Sequence, residues 1–245
     1  MDLNGNLKNK NLIAISGKKQ SGKNAIAKII NQLTNNKYEE KCFADKLKDI
    51  VCLLIGCTRE QLEDEEFKNT ELEEEWWYWK LDREGGYSTI LLPYCESTGT
   101  ENFELIKPTP RFLLQFIGTD LLRNQLHPEI WVNSLMSDYQ PKLIPYVDKD
   151  NYPLNSSGTK YEYPNWIITD LRFPNELEAV KKRKGITIRV NRDYVLTDGP
   201  ENPKKQHASE TALDNAEFDY EIDNNKDIVY LISEVRKILE KENLI

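Results

Sequence analysis

Nine residues, Ser16-Gly17-Lys18-Lys19-Gln20-Ser21-Gly22-Lys23-Asn24, have the types and spacing to hold a polyphosphate. Gly17, Gly22 and Lys23 fit the phosphate-binding pattern G-x-x-x-x-G-K. Glycines let backbone N–H groups close around phosphate oxygens. A helix N-terminus adds partial positive charge, and Lys23 adds a full one where the β- and γ-phosphates of a nucleotide would lie. Asn24 departs from the pattern, since Ser or Thr usually holds magnesium there. An amide oxygen can bind Mg2+ directly or through a water, so Asn24 is the candidate metal residue. Gly17, Lys18, Lys19, Ser21, Gly22, Lys23, Asn24 and Ala25 form the candidate donor-nucleotide set.

Two further constellations suit phosphoryl transfer, which needs positioned phosphates, neutralised charge and magnesium. No nucleophilic side chain is required, because an oxygen of the acceptor phosphate attacks. Asp170, Arg172 and Glu176 follow the apolar run Trp166-Ile167-Ile168-Thr169. Asp170 would therefore end a buried strand at its C-terminal edge, where α/β sheets bind ligands. Lys23, Asp170 and Arg172 are the catalytic candidates. Arg172 and Glu176 can pair with each other or contact substrate. The plain structural alternative is a strand-end turn with a helix cap. Arg111, Gln115, Thr119 and Arg123 recur at a spacing of four, which places them on one side of a helix. A guanidinium grips phosphate in a fork, and Gln offers a donor and an acceptor to a base edge. A solvated polar face is the alternative for this set. Trp131 offers a flat surface for stacking a base, or a core side chain.

The elements that must position these groups read as follows. Residues 12–16 form a strand, 22–34 a helix, 40–43 a second strand, and 45–55 a helix stopped by Gly56. Thr109 caps a helix with Pro110 in its first turn, running to Leu126 with Phe112, Leu113, Phe116, Ile117 and Leu121 as its apolar stripe. A second helix follows Pro128. Residues 166–169 and 186–190 are strands with a helix between them, 220–222 is a last strand, and 226–241 a closing amphipathic helix. Strands alternating with helices imply an α/β fold with a mostly parallel, doubly wound sheet. Residues 57–107 read as an insertion. They hold the acidic run Glu60–Glu75, Trp76-Trp77-Tyr78-Trp79 and a turn at Gly85-Gly86. The acidic run reads as a solvated helix face, and the tryptophans as local packing or a subunit interface. Residues 141–163 read as a hairpin or loop, and 191–209 as a polar loop punctuated by Pro and Gly.

Length and composition set bounds. The chain has 245 residues, 39% of them hydrophobic, 30% charged, and a net charge of −8. This suits one large α/β domain spanning 1–245. The acidic balance argues against a large nucleic-acid footprint, so small-molecule nucleotides are the expected partners. Cys42, Cys52, Cys57 and Cys95 form no C-x-x-C pair, so reduced thiols are expected rather than a zinc site. No run approaches the ~20 apolar residues of a membrane span, and the N-terminus lacks an apolar signal core.

In these residues the chain resembles the bacteriophage deoxynucleoside monophosphate kinases. The resemblance lies in residues 16–23, in Leu114-Gln115-Phe116-Ile117-Gly118-Thr119-Asp120-Leu121 with Trp131-Val132, in Ile167-Ile168-Thr169-Asp170-Leu171-Arg172 with Glu176, and in His207-Ala208-Ser209-Glu210. Phe43-Ala44-Asp45-Lys46-Leu47-Lys48 adds to it. The resemblance implies a P-loop NTPase fold with helical insertions and a lid, moving the γ-phosphate of ATP to a deoxynucleoside monophosphate with Mg2+. It implies that Lys48, Arg111, Gln115, Gly118, Thr119, Trp131, Asp170, Arg172 and Glu176 face the acceptor. It implies that 191–209 closes over ATP, with Arg189 or Arg192 near the transferring phosphate. A homodimer and a cytoplasmic setting, the host's if phage-encoded, are further expectations. Two rival readings share the phosphate loop: a kinase like those acting on dephospho-coenzyme A, and an ATPase or nucleotide-binding regulator with no acceptor.

Overall fold

The computed structural model describes residues 9–82, 89–95, 102–145, 159–193 and 211–245. The chain begins with β1 (Asn9–Gly17), α1 (Lys23–Leu33), β2 (Glu39–Lys41) and α2 (Asp45–Ile55). Two short helices follow, α3 (Arg59–Glu63) and α4 (Glu65–Asn69), then β3 (Tyr78–Asp82), β4 (Thr89–Pro93) and β5 (Glu104–Ile106). Helix α5 (Pro110–Gln115) continues as a π-helical segment over Phe116–Leu126 and is followed by α6 (Ile130–Met136). The rest comprises β6 (Lys142–Pro145), β7 (Thr159–Glu162), β8 (Trp166–Leu171), α7 (Pro174–Lys182), β9 (Gly185–Asn191), β10 (Tyr220–Asp223) and α8 (Ile228–Lys241). These elements group into two compact units, residues 1–43 with 131–245, and residues 44–130.

The first unit is built on a five-stranded sheet in the order β10-β9-β1-β8-β2, with every neighbouring pair parallel. Leu12 to Ile15 and Ile167 to Ile168 are at most 1% exposed. Such continuous apolar runs, without alternation, mark strands covered on both faces. The step from β1 to β2 and the step from β8 to β9 run in opposite directions across the sheet. Right-handed crossovers therefore put α1 and α7 on opposite faces. On the α1 face, Ile26 and Ile30 share one buried cluster with Leu231 and Val235 of α8 and with Ile13, Ile15, Ile167, Ile186 and Ile188. Both edge strands are short and charged: Glu39, Glu40 and Lys41 on β2, Glu221 and Asp223 on β10. That composition discourages further strand addition. The expected hairpin over 141–163 is present as the antiparallel pair β6–β7, and residues 146–158 between them lie outside the described residues.

The second unit relies on local signals. Gly56 ends α2 in the left-handed conformation at φ 68°. Thr58 and Gln61 exchange hydrogen bonds as a capping box on α3, and Asp64 caps α4 through Phe67 N–H. The first part of the acidic run thus lies on capped, solvated helices, while Glu71 and Glu73 lie in irregular chain and Glu74 and Glu75 in a 3-10 turn. β4-β3-β5 form a small antiparallel sheet. The tryptophans pack around it: Trp77 Nε1 donates to Leu72 O at 2.7 Å, its ring meets Tyr94 edge-on at 5.4 Å, and Lys107 lies 3.9 Å over it. The turn expected at Gly85-Gly86 lies outside the described residues.

The helix expected over 109–126 needs correcting. Thr109 does cap it, its side chain accepting from Phe112 N–H at 3.1 Å. Yet the α-helix stops at Gln115 and a π-helix carries on. Its i→i+5 bonds rotate successive side chains away from the 3.6-residue register. The expected apolar stripe accordingly splits. Leu113 and Ile117 are buried, while Phe116 and Leu121 are 41% and 40% exposed.

Candidate active site

The glycine-containing loop over 17–22, the candidate phosphate loop, connects the C-terminal end of β1 to α1, and its conformation explains its residue types. A Cβ on Gly17 would stand 2.7 Å from Val190 O and press on Ser21 Oγ, so only glycine fits. Gly22 sits at φ 106° with the Asn224 carboxamide against it, a second position closed to side chains. Lys23 folds back over the loop, its Nζ donating to Gly17 O at 2.6 Å and Lys18 O at 2.8 Å. The Ser21 hydroxyl is buried with no hydrogen-bond partner among the described residues, a costly state that an incoming acceptor oxygen would relieve. Lys19 and Asn24 are exposed, and Lys18, Lys23 and Ala25 half-buried.

Three adjacent parallel strands deliver groups to this edge. Ser16 of β1 lies in register with Leu171 of β8 on one side and Arg189 of β9 on the other. Asp170 Oδ1 accepts from Phe43 N–H at 2.8 Å, which ties the end of β8 to the chain leaving β2. Arg189 donates to Ser16 Oγ at 3.0 Å and to Asp214 Oδ1 at 2.8 Å. Arg192 reaches Gln20 O at 3.5 Å.

Glu176, which the resemblance assigns to the acceptor, closes a helix entry. Only 3% exposed, its Oε2 accepts from the backbone N–H groups of Arg172 at 2.8 Å and Phe173 at 3.0 Å. It is an N3 carboxylate closing the entry to α7, where Pro174 occupies the first turn. Trp131 is 5% exposed, among the buried residues of α6, so its indole is closed off from solvent.

The remaining acceptor candidates lie in the second unit. Arg111 Nε donates to Asn69 Oδ1 at 2.8 Å and Nη2 to Glu65 Oε2 at 2.7 Å. Lys48 pairs with Glu63. Gly118 lies so close to α2 that a Cβ would be 2.6 Å from Leu47 Cδ2. Gln115 is exposed and Thr119 half-buried. Within this unit Gly118 and Lys48 thus border the same stretch of α2, whereas Arg111 is turned toward α4. Of the lid expected over 191–209, only residues 191–193 are described; the rest of it and the His207-Ala208-Ser209-Glu210 stretch lie outside the described residues.

Sequence reasoning missed Asn224 and Asp214. Asn224 Nδ2 donates to Ser21 O at 2.8 Å and so fixes a loop carbonyl. Asn224 lies in Asp223-Asn224-Asn225, a run of turn-forming residues between the last strand and the closing helix, and Asp214 carries no comparable signal. Among the described residues, no group of three or more His, Cys, Asp or Glu side chains could hold a metal, and no helix is long and apolar enough to cross a membrane.

The chain is similar to viral proteins along most of its length. A protein of Acanthamoeba polyphaga mimivirus named putative deoxynucleotide monophosphate kinase is 27% identical over 228 residues, covering 91% of this chain and 93% of the relative. The deoxynucleoside-5'-monophosphate kinase of Escherichia phage T5 is 24% identical over 247 aligned positions, 88% of this chain and 90% of the relative. An uncharacterized protein of Ictalurid herpesvirus 1, ORF77, is 33% identical over 108 residues, 44% of this chain and 38% of the relative. The sequence model of the deoxynucleotide monophosphate kinase family matches residues 100–235, an interval that contains Arg111, Gln115, Asp170, Arg172 and Arg189. With more than half of its length so matched, the chain belongs to the deoxynucleotide monophosphate kinase family.

Proposed function

We propose that this chain transfers the γ-phosphoryl group of ATP to a deoxynucleoside monophosphate through a P-loop site at residues 16–25. An oxygen of the acceptor's phosphate attacks Pγ, the bond from Pγ to the β–γ bridging oxygen breaks, and ADP leaves as the deoxynucleoside diphosphate forms. One observation carries the reading. The glycine-bound loop with Lys23, the Asp170–Arg172 turn and Arg189 end three neighbouring parallel strands on one sheet edge. Ligands of parallel α/β sheets bind at such carboxyl ends.

The residues divide the work. Loop N–H groups and Lys23 hold the donor phosphates, the Ser21 hydroxyl donates to one of their oxygens, and Arg192 flanks them. Asp170 and Arg172 serve the acceptor side. Glu176 positions Arg172 by holding its backbone N–H. Mg2+ usually keeps several waters and binds through few protein groups together with substrate phosphates. A single exposed carboxamide at Asn24, in the first turn of α1, fits that demand. When bound, the ion neutralises charge on the β- and γ-phosphates. Lys48, Arg111, Gln115, Gly118 and Thr119 are assigned to acceptor recognition, with Arg111 released from Glu65 and Asn69 as it takes up phosphate. Trp131, which the resemblance also assigns to the acceptor, is buried in the other unit.

A coupled ADP-release assay across four deoxynucleoside and four ribonucleoside monophosphates, with dephospho-coenzyme A as control, tests the proposal. ADP release should require a deoxynucleoside monophosphate. Release at the same rate without acceptor, or only with dephospho-coenzyme A, would overturn it.

A further inference from the structure

Asp214 stands between two cations at the rim of the phosphate loop. Its Oδ1 accepts from Arg189 Nη2 at 2.8 Å, and its Oδ2 lies 3.8 Å from Lys18 Nζ. Arg189 is anchored on its other side, Nη1 donating to Ser16 Oγ at 3.0 Å, one residue before Gly17. The Arg189 side chain is only 12% exposed, against 36% for Asp214 and 39% for Lys18. The carboxylate is thus the accessible member of its pair with Arg189. Backbone holds it there: Asp214 N–H donates to Thr211 O at 3.0 Å, and the neighbouring Leu213 is buried.

Two oxygens shared between a guanidinium and an ammonium reproduce the way proteins grip a phosphate. We propose that Asp214 is a built-in stand-in for polyphosphate, holding Lys18 and Arg189 while the site is empty and yielding both to phosphate oxygens when nucleotide binds. This rests on the P-loop reading above. Lys18, Lys19, Lys23, Arg189 and Arg192 would otherwise crowd positive charge around an empty loop, and a largely buried guanidinium without a counter-ion is costly. The same carboxylate sets a threshold for ligands. A multiply charged polyphosphate displaces it, whereas a small anion such as inorganic phosphate gains too little.

Inorganic tripolyphosphate and inorganic phosphate are the probes, titrated calorimetrically and by thermal melting into the full-length chain and its Asp214→Asn, Asp214→Ser and Lys23→Ala variants. Asn keeps an oxygen that can accept from Arg189, and Ser serves if the Asn variant does not fold. A partly exposed ion pair is weak, so losing the competitor should tighten tripolyphosphate binding by roughly fivefold. Phosphate should gain by a similar factor, since either anion must displace the same carboxylate. Tripolyphosphate should also raise the melting temperature of the Asp214 variant more than that of the parent, a gain that a purely structural role would not produce. Unchanged or weaker tripolyphosphate binding by the folded Asp214 variant, with the parent binding normally, overturns the stand-in role alone. A parent chain that fails to bind tripolyphosphate, and that Lys23→Ala does not alter, overturns the P-loop reading itself.

Discussion

The sheet unit and the 44–130 unit hold themselves together by different means. In the first, long-range packing dominates: strands separated by more than a hundred residues lie side by side, and isoleucines from both ends of the chain meet in one cluster. In the second, order comes from neighbours in sequence: caps at Thr58, Asp64 and Thr109, and ion pairs on partly exposed side chains such as Arg59 with Asp45 and Asp49. The difference teaches where each kind of function can be placed. The loop proposed to hold phosphate, with its two crowded glycines, needs surroundings that cannot give way. The acceptor recognition proposed for Lys48 and Arg111 would rest on side chains that are already paired and can exchange partners.

That contrast can be broken, beginning with its largest expected effect. Ile30 is 0% exposed, so Ile30→Ala should cost about 2–5 kcal/mol by cavity formation. Chemical denaturation measures it, and a loss below that of Arg59→Ala would reverse the ranking of the two units. Lys23→Ala should lower turnover about 100-fold or more while leaving the melting temperature nearly unchanged, because a contact strengthened in the transition state is lost. Near-normal single-turnover rates would remove Lys23 from the chemistry.

Arg111→Ala should raise the KM for the deoxynucleoside monophosphate by about tenfold, in line with a lost charge-assisted bond, and leave the KM for ATP alone. If only stability changes, Arg111 belongs to its pair with Glu65 and not to the acceptor site. Gln115→Leu should reorder the four deoxynucleoside monophosphates by a few-fold, since a base-edge group loses its partner. A uniform decrease would make Gln115 structural. Arg59→Ala should cost about 0.5–1 kcal/mol, as for other partly exposed pairs, and the loss should shrink further in high salt. A salt-independent loss would show that the second unit also depends on buried packing.

Much of the sheet unit was legible because its signals are local and strong. The apolar runs at 12–15 and 166–168 bury both faces and so could not be confused with alternating strands. Gly17, Gly22 and Lys23 marked the loop, and Gly56 marked the end of α2. Other features lacked a local signal. Spacings of three and four along 109–126 suit an α-helix, and nothing in them announces five-residue hydrogen bonding from Phe116 onward. The helix-cap alternative weighed for the Asp170–Glu176 stretch is visible in Glu176, because Pro174 followed by a carboxylate two residues later is itself a local helix-entry signal. Asp214 and Asn224 reach the loop only through the pairing of β9 with β10, information carried by topology and not by any nearby pattern.

The bond from Asn224 to the Ser21 carbonyl has a consequence in time. Its two ends are separated by 203 residues. A ribosome adding about 5–20 residues per second reaches Asn224 roughly ten to forty seconds after Ser21. During that interval the nascent loop also lacks β8 and β9, the two neighbours of β1, for most of the wait. The loop proposed to hold phosphate is translated among the first residues, and the contact that fixes its Ser21 carbonyl becomes possible only among the last.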